Sequence, residues 1–308
     1  MHGHHHDHSH SHSHSHRRDG FGYAFAIGIG LNAALVALQV AAGISGHSMA
    51  LLAEAGHNFG DVIGLVLAWA ASVASGRPPS SRYTYGMRSS SILAALANAI
   101  ILLIAVGAIA LEALQRLRSP EPVAATTVMI VAAIGILING GTALLFMSGR
   151  KGDLNIQGAF LHMAADAGIS LGVLLSGLLI LETGWLWLDP LVSLAISAII
   201  VWGTWGLLRD SVNLALNAVP AGIDPAEVRQ HLERLQGVSR IHDLHIWAIS
   251  TTETALTCHL VIPAGHPGDA FIAGMARTLN ANFGIQHTTV QIECGDAEAC
   301  ALSPDHVV

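Results

Sequence analysis

The sequence predicts a helical membrane domain followed by a smaller α/β domain. Only 11% of its 308 residues are charged and 52% are hydrophobic, whereas an average soluble domain carries about 25% charged residues. Six apolar stretches reach the roughly 20 residues that a helix needs to cross a bilayer. After Pro220 this apolar pattern gives way to short helical and alternating periodicities.

The six predicted membrane spans follow one another with short breaks, at about 21–46, 48–75, 89–115, 122–148, 154–182 and 190–215. We expect no cleavable signal peptide, because the polar N-terminus lacks an apolar segment with a basic flank. The basic residues near the ends of the spans are unequally distributed between the two sides of the membrane. One side carries Arg17, Arg18, Arg77, Arg82, Arg88, Arg150, Lys151 and Arg209, and the other side carries only Arg116 and Arg118. The positive-inside rule then predicts that both termini lie in the cytoplasm. We expect the protein in the cell (inner) membrane.

Residues 1–19 alternate histidine with serine, aspartate and glycine. Such a composition cannot form a packed core, so we expect a disordered cytosolic tail suited to loose metal capture. An expression tag is the alternative interpretation, but tags usually run six histidines unbroken, which favours a native tail. The remaining predicted boundaries are 20–216 for the membrane domain, 217–296 for the cytosolic domain and 297–308 for a C-terminal tail.

The cytosolic domain is predicted to have the order αββαβ. Helical periodicity covers 224–236 and 268–283, and strand patterns cover 240–249, 253–262 and 287–293. In the second strand the alternation places one set of side chains on the packed face, namely Leu256, Cys258, Leu260 and Ile262. Thr257 and His259 are left on a face that we expect to be open.

Composition excludes several classes of function. Residues 221–308 hold ten acidic residues against four arginines, a net charge of −6 with histidine neutral, so nucleic acid is not an expected partner. The odd number of cysteines, all in the predicted cytosolic domain, does not predict a disulfide framework. No phosphate-binding GxxxxGK[ST] motif occurs, so ATP bound to this chain is not expected to drive its activity.

Ionisable residues in the central portions of the predicted spans are confined to two of the six spans. The second span carries Glu54, His57 and Asp61, and the fifth carries His162 and Asp166. A charge at bilayer depth costs about 2.5–3.5 kcal/mol on insertion scales, so such residues mark a pathway, a relay or a binding site. The asymmetry therefore predicts a functional site between these two helices.

In both spans a histidine precedes an aspartate by four residues, which stacks the two side chains on one helix face. If the two faces meet, two imidazoles and two carboxylates form a set that suits tetrahedral zinc. The alternative is a structural hydrogen bond within each pair. The repetition of HxxxD in two spans favours a metal site.

Histidine also titrates near neutral pH, so protons compete with metal for the same nitrogens. Whether Glu54 takes part or is an interfacial residue stays open.

Six segments together resemble the cation diffusion facilitator family, in its zinc-transporter branch. They are LLAEAGHNFGDVIGL (51–65), RYTYGMR (82–88), LNIQGAFLHMAADAGIS (154–170), LDPLVS (188–193), LLRDS (207–211) and HDLHIW (242–247). The resemblance implies a homodimer that exchanges divalent cations, Zn²⁺ first, for protons, and a ferredoxin-like cytosolic domain. The family's transport site maps onto His57, Asp61, His162 and Asp166.

The family's cytosolic metal ligands map onto His242, His259 and Glu293, with Cys294 and Cys300 as additional candidates. One departure is the run Ser89-Ser90-Ser91, where many relatives carry a charged residue. We further hypothesise that Arg88 and Asp210, both expected at the cytoplasmic boundary, form an ion pair within or between subunits.

Two other classes of function are compatible with parts of the sequence. An intramembrane zinc enzyme would need an open metal position and a general base, but HExxH does not occur and Glu54 is the one spare carboxylate. A metal-responsive receptor or scaffold would need only the tail and the acidic domain, and it leaves the buried ligands unexplained. We therefore expect a secondary transporter, not an enzyme. The choice among zinc, cadmium, cobalt and nickel depends on geometry that the sequence does not contain.

Overall fold

The computed structural model describes residues 19–147 and 154–295, together with Cys300 and Leu302. The predicted N-terminal tail, apart from its last residue, and most of the predicted C-terminal tail lie outside this part of the chain.

Six long helices match the six predicted spans. They are α1 (Asp19–Ser45), α2 (Met49–Ser75), α3 (Ser90–Arg118), α4 (Ala125–Met147), α5 (Leu154–Thr183) and α6 (Leu188–Ala215). Over the described residues, α2 to α6 have the length and hydropathy of a membrane crossing, and α1 contributes a shorter apolar stretch, Gly30–Ser45. The expectation of a helical membrane domain is confirmed.

The C-terminal part folds as the predicted αββαβ unit. Its elements are α7 (Pro225–Glu233), β1 (Arg240–Ala248), β2 (Thr254–Val261), α8 (Asp269–Phe283) and β3 (Ile285–Glu293). The sheet has the order β1-β2-β3, with β1 antiparallel and β3 parallel to β2. Both helices pack on one sheet face, over a core that includes Leu232, Leu256, Cys258, Leu260 and Leu279. The predicted packed face of β2 is therefore correct.

Two helix ends in this domain have identifiable causes. Asp224 is the N-cap of α7 and accepts a hydrogen bond from the Ala226 amide at 2.8 Å, with Pro225 following at the first helical position. Gly284 adopts a left-handed φ of 66° and ends α8. Ile285, fully buried, then starts β3 at once, two residues before the predicted strand.

The sheet face opposite the helices is less open than expected. A β-bulge interrupts the pairing of β1 with β2 between His242 and His245, where Asp243 has a φ of 53°. The extra residue turns the Asp243 carboxylate toward His259. The backbone carbonyl of Leu302 and the thiol of Cys300 also approach this face, so that His242 is fully buried.

The contacts divide the chain into two units, Met1–Val62 with Leu111–Ile196 and Ile63–Ala110 with Ser197–Val308. In the first unit α4 packs against α1 and α5, and the Trp185 and Trp187 rings stack at 5.7 Å between α5 and α6. The second unit contains the cytosolic domain. There Arg88 forms an ion pair with Glu253, so the hypothesis that Arg88 pairs with Asp210 is not borne out within one chain.

Candidate metal centres

The N-terminus of α2 is fixed by a carboxylate from the start of α6. Asp189, which is 1% exposed, accepts hydrogen bonds from the Ser48 hydroxyl at 2.5 Å and from the amides of Met49 at 2.5 Å and Ala50 at 3.4 Å. These amides have no carbonyl partner within the helix, and their positive end favours a carboxylate. The cap therefore sets where the following turns of α2 lie.

The predicted pairs on α2 and α5 meet across the two helices. Nε2 of His57 lies 3.0 Å from Oδ1 of Asp166, and Nε2 of His162 lies 3.3 Å from Oδ2 of Asp61. The second Asp166 oxygen is 3.7 Å from His162, and the two imidazole rings lie 6.1 Å apart in an edge-to-face arrangement. Each histidine thus contacts the aspartate of the other helix, and Asp166 joins both histidines.

Burial is unequal across this four-residue cluster. The side chains of Asp166 and His57 are 3% and 18% exposed, whereas those of Asp61 and His162 are 31% and 43% exposed. Ligand atoms of His57, Asp61 and Asp166 lie within 4.8 Å of one another. His162 lies outside this group of three, although its Nε2 contacts both aspartates. Asp61 and His162 form the more exposed side of the cluster.

Glu54 lies one helical turn before His57 and is 1% exposed. Its carboxylate accepts a hydrogen bond from the Ser170 hydroxyl of α5, and its second oxygen has no partner among the described residues. On α4, Gly135 leaves room for this contact, since a Cβ there would come within 2.7 Å of the Ser170 oxygen. Glu54 is therefore buried against α4 and α5, and the interpretation as an interfacial residue does not fit its position.

Sequence reasoning did not identify a further buried amide pair beside this cluster. The Asn58 side chain donates to the Gln39 carbonyl at 2.9 Å, and the two residues are 3% and 0% exposed. Asn58 directly follows His57, but uncharged amides inside spans are common enough in bundles that they gave no separate signal. The pair ties α1 to the face of α2 next to the site.

A second cluster lies on the cytosolic sheet. His242 of β1 and His259 of β2 are register partners, and their rings lie 4.9 Å apart. One Glu293 oxygen lies 3.1 Å from Nε2 of His242, and the other lies 3.0 Å from Nδ1 of His259. The Cys300 thiol is 3.6 Å from the same His259 nitrogen. These four residues offer ligand atoms within 4.8 Å of one another.

The electrostatics of this cluster favour an ionised carboxylate. Burial opposes the charge of Glu293, but hydrogen bonds from His242 and Cys300 and the positive potential of the two histidines lower the pKa of Glu293 below its ordinary value. On the opposite sheet face, burial raises the pKa of the Cys258 thiol to about 12. Cys258 is therefore a core residue, as the alternation predicted.

The cytosolic cluster differs from the predicted set of residues at two positions. Cys294 is exposed and lies outside the group of four. Asp243, which we did not select from the sequence, has one oxygen 3.5 Å from Nε2 of His259 and the other 2.9 Å from Nε2 of His245. In a regular strand Asp243 would lie on the face opposite His242, and the bulge turns it toward the histidines.

Comparison with known proteins identifies the family. Residues 25–214 match the cation efflux transmembrane domain, and residues 220–294 match the cation efflux protein cytoplasmic domain. The chain belongs to the cation efflux family. It is accordingly a multi-pass membrane protein for the efflux of metal cations and not an enzyme.

Three relatives of this cation efflux protein cover most of its length. The metal cation efflux system protein CzcD of Cupriavidus metallidurans is 34% identical, over 87% of this chain and 85% of the relative. The zinc transporter ZitB of Escherichia coli is 34% identical, over 85% of this chain and 84% of the relative. The cadmium, cobalt and zinc/H(+)-K(+) antiporter of Bacillus subtilis is 32% identical, over 83% of this chain and 84% of the relative.

Proposed function

We propose that this protein exports divalent transition-metal ions, Zn²⁺ foremost, from the cytoplasm in exchange for protons. The observation that carries the proposal is the four-residue cluster of His57, Asp61, His162 and Asp166. Zinc accepts tetrahedral coordination by imidazole and carboxylate, and two carboxylates balance the double charge of the ion. Ions that prefer only oxygen ligands are less well matched to this set.

Proton exchange follows from the same atoms. The Nε2 atoms of His57 and His162 lie 3.0 and 3.3 Å from aspartate oxygens, where a protonated imidazole can donate a hydrogen bond. A metal ion needs the same nitrogens in deprotonated form, so its binding releases protons and its departure restores the hydrogen bonds. The names of the relatives support both halves of the proposal, since they include a zinc transporter and a cation/H(+) antiporter.

The cytosolic cluster is proposed as a regulatory zinc site, with His242, His259, Glu293 and Cys300 as ligands. One thiolate, two imidazoles and one carboxylate form a set that zinc binds well. The protein is further proposed to act as a homodimer in the inner membrane, with both termini cytoplasmic. Two acidic domains side by side repel each other, and bound divalent ions offset that repulsion.

Zinc flux into sealed vesicles tests the proposed transport. The purified protein is reconstituted, and Zn²⁺ uptake is followed with a trapped fluorescent indicator at equal pH and with an acidic lumen. We expect uptake in both conditions and faster uptake with the acidic lumen, with the difference abolished by a protonophore. Uptake that ignores the pH gradient would contradict proton exchange, and absence of uptake would contradict zinc export.

A further inference from the structure

The segment 76–89, here called the α2–α3 loop, carries three arginines and no acidic residue. Arg88 is paired with Glu253, so its charge is compensated. Arg77 and Arg82 are exposed, and neither has a carboxylate partner among the residues that the structure describes. The loop therefore presents two uncompensated positive charges, on a chain whose formal net charge is −7.

The two helices that this loop joins expose apolar side chains close to their ends. Val73 is exposed two residues before the end of α2, and Leu93 is exposed three residues after the start of α3. At 1.5 Å per residue, these positions lie about 3 and 4.5 Å from the loop along the helix axes. Both helices have the length and hydropathy of a membrane crossing. The loop therefore begins where the hydrocarbon-facing surface ends, beside the polar groups of the lipids.

Exposed aromatic and apolar side chains accompany the two arginines. The Tyr83 ring is exposed, and the Arg82 guanidinium carbon lies 5.9 Å from the centre of that ring, within cation–π distance. Met87 is exposed on the same loop. Tyrosine is enriched at membrane–water interfaces because its ring is apolar and its hydroxyl is polar. Positive charge beside apolar surface fits a phospholipid better than it fits a freely soluble anion.

Backbone contacts hold the α2–α3 loop in one conformation. The Tyr83 carbonyl accepts hydrogen bonds from the amides of Ser80 and Gly86, both at 2.9 Å, and the Ser80 hydroxyl accepts from the Tyr83 amide at 3.1 Å. Gly86 has a φ of 71° and packs on the Arg77 carbonyl, where a Cβ would come within 3.1 Å. The loop is closed on itself, so a ligand that binds it has little backbone to order.

We propose that the α2–α3 loop binds an anionic phospholipid, with Arg77 and Arg82 on the phosphate and the Tyr83 ring beside the apolar part of the lipid. A guanidinium donates two parallel hydrogen bonds to phosphate oxygens, which a point charge does not. The headgroup of phosphatidylglycerol keeps a net negative charge, whereas the amine of phosphatidylcholine cancels it. The site depends on α2 and α3 being membrane spans and not on which ion the protein exports.

Lipid binding to the purified full-length protein tests this site. Native mass spectrometry in a neutral detergent resolves bound lipids one by one, so the dissociation constants of phosphatidylglycerol and phosphatidylcholine with the same acyl chains can be compared. Each basic residue near an anionic surface contributes a factor of about five in affinity. We therefore expect Arg77→Gln and Arg82→Gln each to weaken the tightest phosphatidylglycerol binding about fivefold, and the double variant roughly 25-fold, with phosphatidylcholine unchanged. Wild-type affinity in the double variant would overturn the proposal.

Arg118→Gln is the matched control, because Arg118 is an exposed arginine in the last turn of α3, at the opposite end of the same helix. We expect this variant to keep the wild-type affinity for phosphatidylglycerol. A loss equal to that of Arg82→Gln would mean that any arginine near a helix end suffices, which would overturn a defined site. Arg82→Lys keeps the charge and should bind more tightly than Arg82→Gln; equal weakening in these two variants would contradict recognition by charge.

Two further measurements distinguish a lipid from other occupants of the loop. Inorganic phosphate at the same concentration should not displace phosphatidylglycerol, because it has no apolar part to contact Tyr83, and displacement would overturn the lipid in favour of a soluble anion. The same spectra report the oligomeric state, so a double variant that loses its dimer but keeps its lipid would assign the loop to a subunit contact. Zn²⁺ is absent throughout, so the result is independent of whether the proposed export holds.

Discussion

Asp61 and Asp166 supply both negative charges of the four-residue cluster. Replacing either with alanine leaves three ligands with a single negative charge for a divalent ion. Changes in outer-shell residues alone lower metal affinity by roughly 10–100-fold, so we expect each variant to lose Zn²⁺ flux by more than about a hundredfold. Flux into reconstituted vesicles is the measurement.

Asp269→Ala is a matched control, because Asp269 begins α8 in the cytosolic domain, far along the chain from the transport cluster. The Asp269→Ala variant should transport Zn²⁺ at the wild-type rate. Wild-type flux in the Asp61 or Asp166 variant would contradict the four-ligand proposal.

His57 supplies one of the two nitrogens, and its ring is largely buried against Asp166. His57→Asp replaces a borderline-soft nitrogen by an oxygen, and carboxylates suit ions such as Mn²⁺. We expect the ratio of Mn²⁺ to Zn²⁺ transport to rise in competition flux assays. An unchanged ratio would mean that the size and shape of the cluster, and not the ligand type, determine selectivity.

The residues of the proposed transport cluster could be recognised from the sequence because ionisable side chains are rare inside membrane-spanning helices. His57, Asp61, His162 and Asp166 were therefore visible without any structure. The role of Asp243 was not visible, since in a regular strand its side chain would point into the core. The left-handed φ of 53° that brings it to His259 depends on a bulge, which has no reliable local signature.

The start of α2 is held by a side chain that is distant in the sequence. Asp189 caps it through Ser48, Met49 and Ala50. Asp189→Ala should destabilise the protein by about 1–2 kcal/mol, as expected for a lost helix cap, and should also slow Zn²⁺ transport because the turns that carry His57 and Asp61 lose their anchor. Asp189→Asn keeps one acceptor oxygen and should lie between the alanine variant and the wild type.

Thermal unfolding in detergent and vesicle flux are the two measurements for these variants. If the alanine variant matches the wild type in both, the cap does not position α2.

The helices were predictable because length and apolar composition are local properties. Each predicted span overlaps its helix with ends that differ by only a few residues, as helix ends usually do. The covered sheet face was not predictable, because it depends on Cys300 and Leu302 returning to β1 and β2 from a segment without periodicity. Long-range returns of this kind have no sequence period to reveal them.

The whole sequence combines the proposed transport cluster with an acidic C-terminal domain and a histidine-rich N-terminal segment. Deleting residues 2–16 should raise the apparent KM for cytoplasmic Zn²⁺ without lowering the maximal rate, because a histidine-rich tail raises the local metal concentration but supplies no ligand of the transport cluster. Flux measured over a range of Zn²⁺ concentrations separates the two parameters. A matched control replaces the tail histidines by serine at unchanged length, and an inactive deletion variant would contradict the proposal.

The stacked rings of Trp185 and Trp187 have a consequence for the lipid around the protein. Indoles prefer the headgroup level of a membrane, so this pair anchors one end of α5 and α6 at the bilayer surface. In a bilayer thinner or thicker than the helices prefer, we expect α5 to tilt about that anchor and to move His162 and Asp166 relative to α2. We therefore predict that acyl-chain length changes the Zn²⁺ affinity of the proposed transport cluster without any change in the ligands, so that binding differs between vesicles of short and long lipids.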